Sequence, residues 1–181
     1  MKNILKTLCL NLAKVETVKE AIALLKSEGY WDSESHWHPY GQMHGNASII
    51  NNQASDSVRS IVEKLTNSSD QLLILECLKR GIDPEGPEAP KTSKDALERL
   101  YNIRNGDLSE LTPNEKTKLA KNIKLIRTGT KNNPNIIIID KATGQSATKM
   151  PTTILSLASD NKGNIPFVQG LYNQGGSATL P

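Results

Sequence analysis

The chain has 181 residues, a length that suits a single domain. Its formal net charge is only +3, so the composition does not favour strong binding to nucleic acid or to an anionic membrane. Aromatic residues make up 4% of the chain and no apolar run reaches about 18 residues, which predicts an aliphatic core, no membrane span and a cytoplasmic location.

Residues 1–54 are predicted to form a helical and irregular N-terminal extension. A helical pattern runs to about residue 28, with Thr17 as an internal N-cap and Gly29 at its end. The two cysteines, Cys9 and Cys77, both lie in apolar helical patterns and are predicted to be buried free thiols.

All three histidines lie in the irregular stretch 30–55, which is rich in Asn, Ser and Gly. They are His36, His38 and His44. A zinc site is the weaker interpretation of this group, because no cysteine or carboxylate at ligand spacing completes it. A surface loop with aromatic neighbours explains the histidines equally well.

A long helix of about 25 residues is predicted from Ser55 or Asp56 to Gly81. Glu63, Asn67 and Asp70 are spaced i, i+4 and i+7 along it, within about 60° of one another. The apolar side chains are predicted to gather on the other, buried side; they are Val58, Ile61, Val62, Leu65, Leu72 and Leu73.

The polar face of this helix combines two carboxylates with one carboxamide. A carboxylate such as Glu63 can take a proton from water, and a carboxamide oxygen such as that of Asn67 can bind magnesium. The other interpretation is an ordinary solvated helix face.

Residues 82–131 contain turns and two shorter helices. One helix is predicted to begin at Ser93, and a second at Thr112, where Thr112 and Glu115 form a capping box. The second helix is predicted to direct Leu119, Ile123 and Ile126 inward. Its basic residues favour a solvated face over a nucleic-acid site, because acidic residues elsewhere offset them; they are Lys116, Lys118, Lys121, Lys124 and Arg127.

The clearest predicted strand is Asn135–Asp140, whose four consecutive isoleucines indicate a strand covered on both faces. Asp140 stands at its end and is followed by Ala142 and Gly144. A short helix is predicted near Met150, and the chain continues into a glycine-rich segment.

Three segments in this order resemble the nucleotide-binding motifs of the GHKL (Bergerat-fold) ATPases, which include type II topoisomerases, heat-shock chaperones, mismatch-repair ATPases and histidine kinases. The first motif, E-x-x-x-N-x-x-D, is matched by Glu63, Asn67 and Asp70. The second, D-x-G-x-G, is matched at Asp140 and Gly144, with Ala142 in place of its first glycine. The third, a glycine-rich lid, is matched by Gly170, Gly175, Gly176 and Ser177.

The resemblance covers residues 55–181, with 82–131 as a helical insertion, and 136–180 resembles bacterial GHKL-type ATP-binding proteins of poorly defined role. It implies an α+β fold, a two-layer α/β sandwich similar to the GHKL nucleotide-binding domain. In that family further strands follow the second glycine motif. The resemblance therefore implies a domain incomplete at its C-terminus, which a longer chain, a second copy or a partner would complete.

The resemblance also implies magnesium-dependent ATP binding and hydrolysis that drives conformational change in a larger protein. Glu63 would be the general base, Asn67 the magnesium ligand, and Asp70 would position the magnesium waters or the nucleotide. The adenine would be recognised by Asp140, approached closely at Gly144 and packed against by Met150. The phosphates would be held by Gly170, Gly175, Gly176 and Ser177.

A non-catalytic interaction module that keeps the family's shape is the alternative function. Ala142 favours it, because a methyl group replaces a glycine where the base would approach. No membrane partner is expected, and nucleic acid is disfavoured by the modest net charge.

Overall fold

The structure, a computed structural model, describes residues 2–39, 57–153 and 164–169. Over these ranges the protein is mixed helix and strand, with five α-helices and one two-stranded antiparallel sheet, so the predicted α+β class is confirmed at that level. None of the helices in these ranges is both long and apolar enough to cross a bilayer.

The chain divides into two compact units. The N-terminal unit comprises Met1–Pro39 and Ile126–Ile137, and the central unit comprises Tyr40–Leu125 and Ile138–Pro181. The predicted boundary at residue 54 and the predicted cap at Ser55 or Asp56 fall within 40–56, outside the described residues.

The N-terminal unit begins with two helices, α1 (Lys2–Leu12) and α2 (Val18–Ser27). Thr17 caps α2 as predicted: its hydroxyl accepts the Glu20 N–H at 3.2 Å, and the Glu20 carboxylate accepts the Thr17 N–H at 2.9 Å. Because this capping box starts a new helix, the helical pattern of the first 28 residues is two helices and not one. Gly29 follows α2 with φ +77°, the left-handed conformation that ends many helices.

Within the N-terminal unit, Glu16 links the first segment, Met1–Pro39, to the second, Ile126–Ile137. The Glu16 carboxylate accepts hydrogen bonds from the Thr128 hydroxyl at 3.0 Å and from Asn135 Nδ2 at 2.6 Å. Trp31 and Trp37 pack edge to face, with ring centroids 5.3 Å apart, after a short 3₁₀ turn at Glu34–His36. The two hydrogen bonds of Glu16 join residues more than 100 positions apart.

The helices of the central unit are α3 (Ser57–Lys79), α4 (Ser93–Tyr101) and α5 (Pro113–Ala120), with 3₁₀ turns at Arg104–Gly106 and Leu108–Glu110. The capping box at Thr112 and Glu115 is confirmed, since each side chain accepts the other's backbone N–H. The predicted length of α5 is wrong: Ile123 and Ile126 belong to the following strand. Lys124 and Arg127 therefore also lie outside the helix.

The sheet is a hairpin of β1 (Ile123–Gly129) and β2 (Pro134–Asp140). The turn between them is closed by the Thr130 N–H, which donates to the Asn133 carbonyl at 3.1 Å. The predicted strand is confirmed, but its coverage on both faces is not: Ile136 and Ile139 are 40% and 48% exposed. Within the described residues, β2 has one neighbouring strand, so part of its apolar surface remains exposed.

The core of the central unit joins α3, α4 and the segment 164–169. Its buried members are Leu73, Cys77, Ala89, Ala96, Leu100, Ile165, Phe167 and Val168. Burial raises the pKa of the Cys77 thiol, and this cysteine is buried as predicted. Cys9 is exposed, contrary to the prediction. It lies on the short helix α1, whose residues are largely exposed.

Candidate functional site

Two segments that are distant in sequence, 140–143 and the end of 164–169, form hydrogen bonds with one turn of α3. The Ser68 hydroxyl donates to Asp140 Oδ2 at 2.9 Å, across 72 residues. The Gln71 side-chain oxygen accepts from the Thr143 hydroxyl at 3.0 Å. We call this set the α3 junction, and it also includes the contact of Asp70 Oδ1 with the Gln169 N–H at 3.0 Å. Each of the three predicted motifs has a residue in the α3 junction or directly beside it in sequence.

Asp140 is the last residue of β2 and is exposed. Its second oxygen, Oδ1, accepts a hydrogen bond from the Ala142 N–H at 3.1 Å. The carboxylate is therefore held both by the turn that follows β2 and by Ser68 of α3. The strand end is fixed further by the Lys141 N–H, which donates to the Asn122 carbonyl at 3.0 Å. A carboxylate offers about four lone-pair positions, so Asp140 retains the capacity to accept a hydrogen bond from a ligand.

Gly144 lies just after this turn with φ +67°, and open space surrounds the position that a Cβ would occupy. The positive φ is a local reason for glycine at this position, independent of any ligand. Ala142, which replaces a glycine of the family motif, is half-buried and contributes its backbone N–H to Asp140. The alanine is therefore compatible with the turn that holds Asp140.

Glu63 lies more than one helical turn before Ser68, the first residue of the α3 junction, and Asn67 lies directly before Ser68; both are half-buried. Burial lowers the pKa of the adjacent Lys64, and the Glu63 carboxylate opposes that shift. Asn67 directly precedes Ser68, so the two residues lie on the same turn of α3, with side chains that project about 100° apart around the helix axis. Magnesium commonly takes one or two protein oxygens and completes its shell with waters and phosphate oxygens, so a single carboxamide fits such an ion.

Asp70 is buried, although the helical pattern predicts it on the polar face opposite the buried apolar side of α3. Its side chain is only 2% exposed, whereas Val58 and Val62, predicted to be buried, are 67% and 55% exposed. The segment that contains Phe167 packs into the core beside α3, and the Gln169 N–H reaches Asp70. Helical periodicity gives the angle of a side chain about the axis, but it does not indicate which neighbours cover it.

A cavity of about 500 Å³ lies in the central unit beside α3. Its walls are mostly apolar and come from α3, α4, α5 and the start of β1; they include Leu65, Leu72, Leu97, Leu119 and Ile123. Asp70 and Gln169 border it, but Glu63, Asn67 and Asp140 are not among its lining residues. The cavity and the predicted catalytic and adenine-binding side chains are therefore distinct features.

Of the remaining predicted site residues, Met150 lies within the described ranges, and it is not one of the hydrogen-bonded residues that define the α3 junction. Met150 begins a 3₁₀ turn, Met150–Thr152, and is 39% exposed. The predicted phosphate-binding residues Gly170, Gly175, Gly176 and Ser177 lie outside the described residues, as does His44. Within the described ranges, no group of three or more His, Cys, Asp or Glu side chains is placed to hold a metal ion.

Comparisons of the chain with protein-family models, with curated proteins and with solved structures found no match.

Sequence reasoning did not identify four members of the α3 junction, namely Ser68, Gln71, Thr143 and Gln169. Ser68 stands directly after Asn67, but its partner Asp140 is 72 residues further along the chain. Short polar side chains of this kind are common on helix surfaces, so their presence carries no signal until the strand end is placed beside them.

Proposed function

We propose that the central unit binds ATP with magnesium and hydrolyses it, in a two-layer fold of the GHKL type. The observation that supports this proposal is the hydrogen bond between Ser68 and Asp140 at 2.9 Å. It brings the end of the isoleucine-rich strand to the helix that carries Glu63 and Asn67. The helix to which we assign metal and water and the carboxylate to which we assign base recognition therefore belong to the same unit.

Asp140 would accept a hydrogen bond from the exocyclic amino group of adenine. The Ser68 hydroxyl and the Ala142 N–H restrain its two oxygens, so little side-chain entropy remains to be lost on binding. Asn67 would supply a carboxamide oxygen to magnesium, which offsets phosphate charge when bound. Glu63 would take a proton from the water whose oxygen attacks the γ-phosphorus as the bond to the bridging oxygen breaks, leaving ADP and phosphate.

Titration with a fluorescent ATP analogue, with magnesium and with EDTA, tests the binding part. Asp140→Asn should weaken binding at least about tenfold, because the side chain loses its charge and one of its two acceptor oxygens. Glu110→Gln is the matched control, since Glu110 is an exposed carboxylate of the same unit outside the α3 junction. Equal affinity of the Asp140 variant and the wild type would remove the adenine-recognition role.

Steady-state phosphate release tests the hydrolytic part. Glu63→Ala should retain analogue binding and lower the turnover rate by about 10²- to 10⁴-fold, the usual contribution of a general base. Glu98→Ala, an exposed position on α4, should turn over like the wild type. Undiminished phosphate release by the Glu63 variant would reject its assignment as the base.

A second candidate function is a non-catalytic interaction module whose sheet a second copy or another protein completes. The supporting observation is the exposed apolar surface of the hairpin, where Leu125 and Ile139 are 55% and 48% exposed. Isolated two-stranded hairpins are marginal in water and gain stability from further strands. Light scattering across protein concentration tests this function: self-association abolished by Ile139→Lys, without nucleotide binding, would favour it over ATP hydrolysis.

A further inference from the structure

The apolar cavity beside α3 has the size of a small-molecule site. Its volume of about 500 Å³ lies within the range of roughly 300–1,000 Å³ that is usual for ligand pockets. All the lining residues that the structure describes belong to the central unit. A dry cavity of about 150 Å³ can hold one benzene molecule, so this cavity has room for a molecule of about three rings.

The wall of the cavity continues onto the surface of the unit. Two of its lining residues, Val62 on α3 and Leu108 in the 3₁₀ turn Leu108–Glu110, are 55% and 50% exposed. Removing such apolar surface from water is favourable. An apolar molecule can therefore reach the cavity past apolar side chains and gain contact area with them.

The charge at the cavity wall disfavours an anionic ligand. Asp70 lines the cavity, and the described lining residues include no Lys, Arg or His. Asp70 is 2% exposed, so water screens its charge only weakly. An anion would lose hydration on entering and would meet a like charge without a compensating cation. Ligands such as fatty acids and nucleotides are therefore disfavoured, and a neutral molecule is favoured.

The hydroxyl groups around the cavity offer acceptors to a ligand. Four lining side chains carry a hydroxyl, and each donates its proton to a backbone carbonyl at 2.9–3.4 Å. These pairs are Thr66 with Val62, Ser69 with Leu65, Ser93 with Phe167 and Tyr101 with Leu72. A hydroxyl has one proton and two lone pairs, so these groups can bind a ligand only as acceptors. The complementary ligand therefore donates a hydrogen bond.

We propose that this cavity binds a neutral, largely apolar molecule of about three rings that carries one O–H or N–H donor. Glu63, Asn67 and Asp140 do not line the cavity, so the inference goes beyond the proposed ATP hydrolysis and does not rest on it.

Two dyes with the same three-ring skeleton test the ligand class on the full chain. N-phenylnaphthylamine is neutral and carries one N–H, whereas anilinonaphthalene sulfonate has the same rings with an added sulfonate. Both dyes fluoresce more strongly in apolar surroundings. We expect saturable binding of the neutral dye, at least about tenfold tighter than that of the anionic dye, because a like charge opposes the sulfonate. Absent binding of the neutral dye, or equal affinity for both dyes, would overturn the proposal.

A tryptophan substitution tests whether the neutral dye occupies this cavity. Leu119 is half-buried on α5 and lines the cavity, so Leu119→Trp reduces the space available and should weaken binding at least about tenfold. Leu78→Trp is the matched control, because Leu78 is 51% exposed on α3 and does not line the cavity. Unchanged binding by a folded Leu119→Trp variant would place the dye elsewhere and overturn the proposal.

A lysine substitution at the exposed part of the wall decides the question if the tryptophan variant does not fold. Leu108→Lys adds the missing cation beside the cavity, so the anionic dye should bind about tenfold tighter than it does to the wild type. Leu78→Lys, at a leucine of nearly equal exposure outside the lining, should leave its affinity unchanged. Equal effects of the two lysines, or no effect of either, would contradict the location of the ligand in the cavity.

Discussion

Among the glycines that the structure describes in the central unit, Gly106 is the one whose environment leaves no room for a side chain. Its φ is +61°, and a Cβ built there would lie 2.5 Å from the Lys94 carbonyl oxygen and 2.6 Å from the Lys94 Cα. We expect Gly106→Ala to destabilise the protein by roughly 3 kcal/mol, from the left-handed backbone together with overpacking against α4. The free energy of unfolding in urea measures this change.

Gly81 is the matched control for that substitution. It also has a positive φ, +71°, but a Cβ there would meet no atom within 4 Å. Gly81→Ala should therefore cost about 1–2 kcal/mol, the backbone contribution alone. Equal losses at the two glycines would mean that the close approach of Lys94 does not contribute.

Tyr101 gives the protein a dependence on alkaline pH. Burial, followed by the nearby Glu76 charge, raises the pKa of its phenol from 10.0 to about 12, and its hydroxyl donates to the Leu72 carbonyl at 3.4 Å. The neutral phenol is favoured in the folded state, so its stabilising contribution is complete below pH 10 and is lost as the pH rises toward 12. The loss of stability between pH 10 and 12 should be smaller in Tyr101→Phe, as measured by urea unfolding at a series of pH values. Identical pH profiles for the variant and the wild type would contradict this assignment.

The capping box that begins helix α5 is predicted by the sequence and is present in the structure. Replacing Thr112 by Ala removes the acceptor for the Glu115 N–H and should cost about 1 kcal/mol in urea unfolding. Thr117→Ala is the control, because that hydroxyl bonds to the Pro113 carbonyl in the helix interior, where alanine is the better helix former. A loss at Thr117 as large as that at Thr112 would argue against a specific cap.

The same cap predicts a dependence on acidic pH. The Thr112 hydroxyl and backbone N–H lower the pKa of Glu115 from its usual 4.5. A lowered folded-state pKa gives a stabilisation that is complete above the usual pKa of 4.5 and is lost as the pH falls from there through the folded-state pKa. Thr112→Ala should therefore reduce the acid sensitivity of unfolding, as seen by comparing the two proteins between pH 6 and 3, the range that spans the usual pKa of a glutamate.

At the scale of the whole molecule, the two units differ in their buried cores. Leu8 is the buried hydrophobic residue of the N-terminal unit in the described ranges, whereas the central unit has a cluster of eight buried residues. We expect the N-terminal unit to unfold at lower urea. The fluorescence of Trp31 and Trp37, the two tryptophans of the chain, reports the unfolding of the N-terminal unit. The reactivity of the buried Cys77 thiol, measured in a Cys9→Ser background, reports the unfolding of the central unit.

Glu16→Ala provides the matching perturbation. It removes the acceptor of the Thr128 and Asn135 hydrogen bonds and should lower the stability reported by tryptophan fluorescence by about 1 kcal/mol, without changing Cys77 protection. Thr66→Ala in α3, whose hydroxyl bonds within its own helix, is the control that should leave the tryptophan transition unchanged. Coincident transitions for the two probes, shifted together by Glu16→Ala, would show that the units unfold as one.

Local chemistry allowed several features to be predicted from the sequence. The caps at Thr17 and Thr112, the long helix α3 and the strand ending at Asp140 all depend on neighbouring residues or on a short repeat, and all are present. The end of α5 was missed because Ile123 and Ile126 continue a helical spacing, although they pair as a strand with residues further along the chain.

The sequence by itself determined the helix caps, the strand and the candidate set of carboxylates and carboxamide on α3, because hydrogen bonds and periodicities within a few residues specify them. Only the tertiary structure decided that Asp70 is buried against Gln169 and that Ser68 holds Asp140. Those contacts join residues 99 and 72 positions apart, and the first lies beside the core in which Phe167 and its neighbours bury apolar surface with residues of α3 and α4. Burial of that kind depends on which segments meet, and no local pattern encodes the meeting.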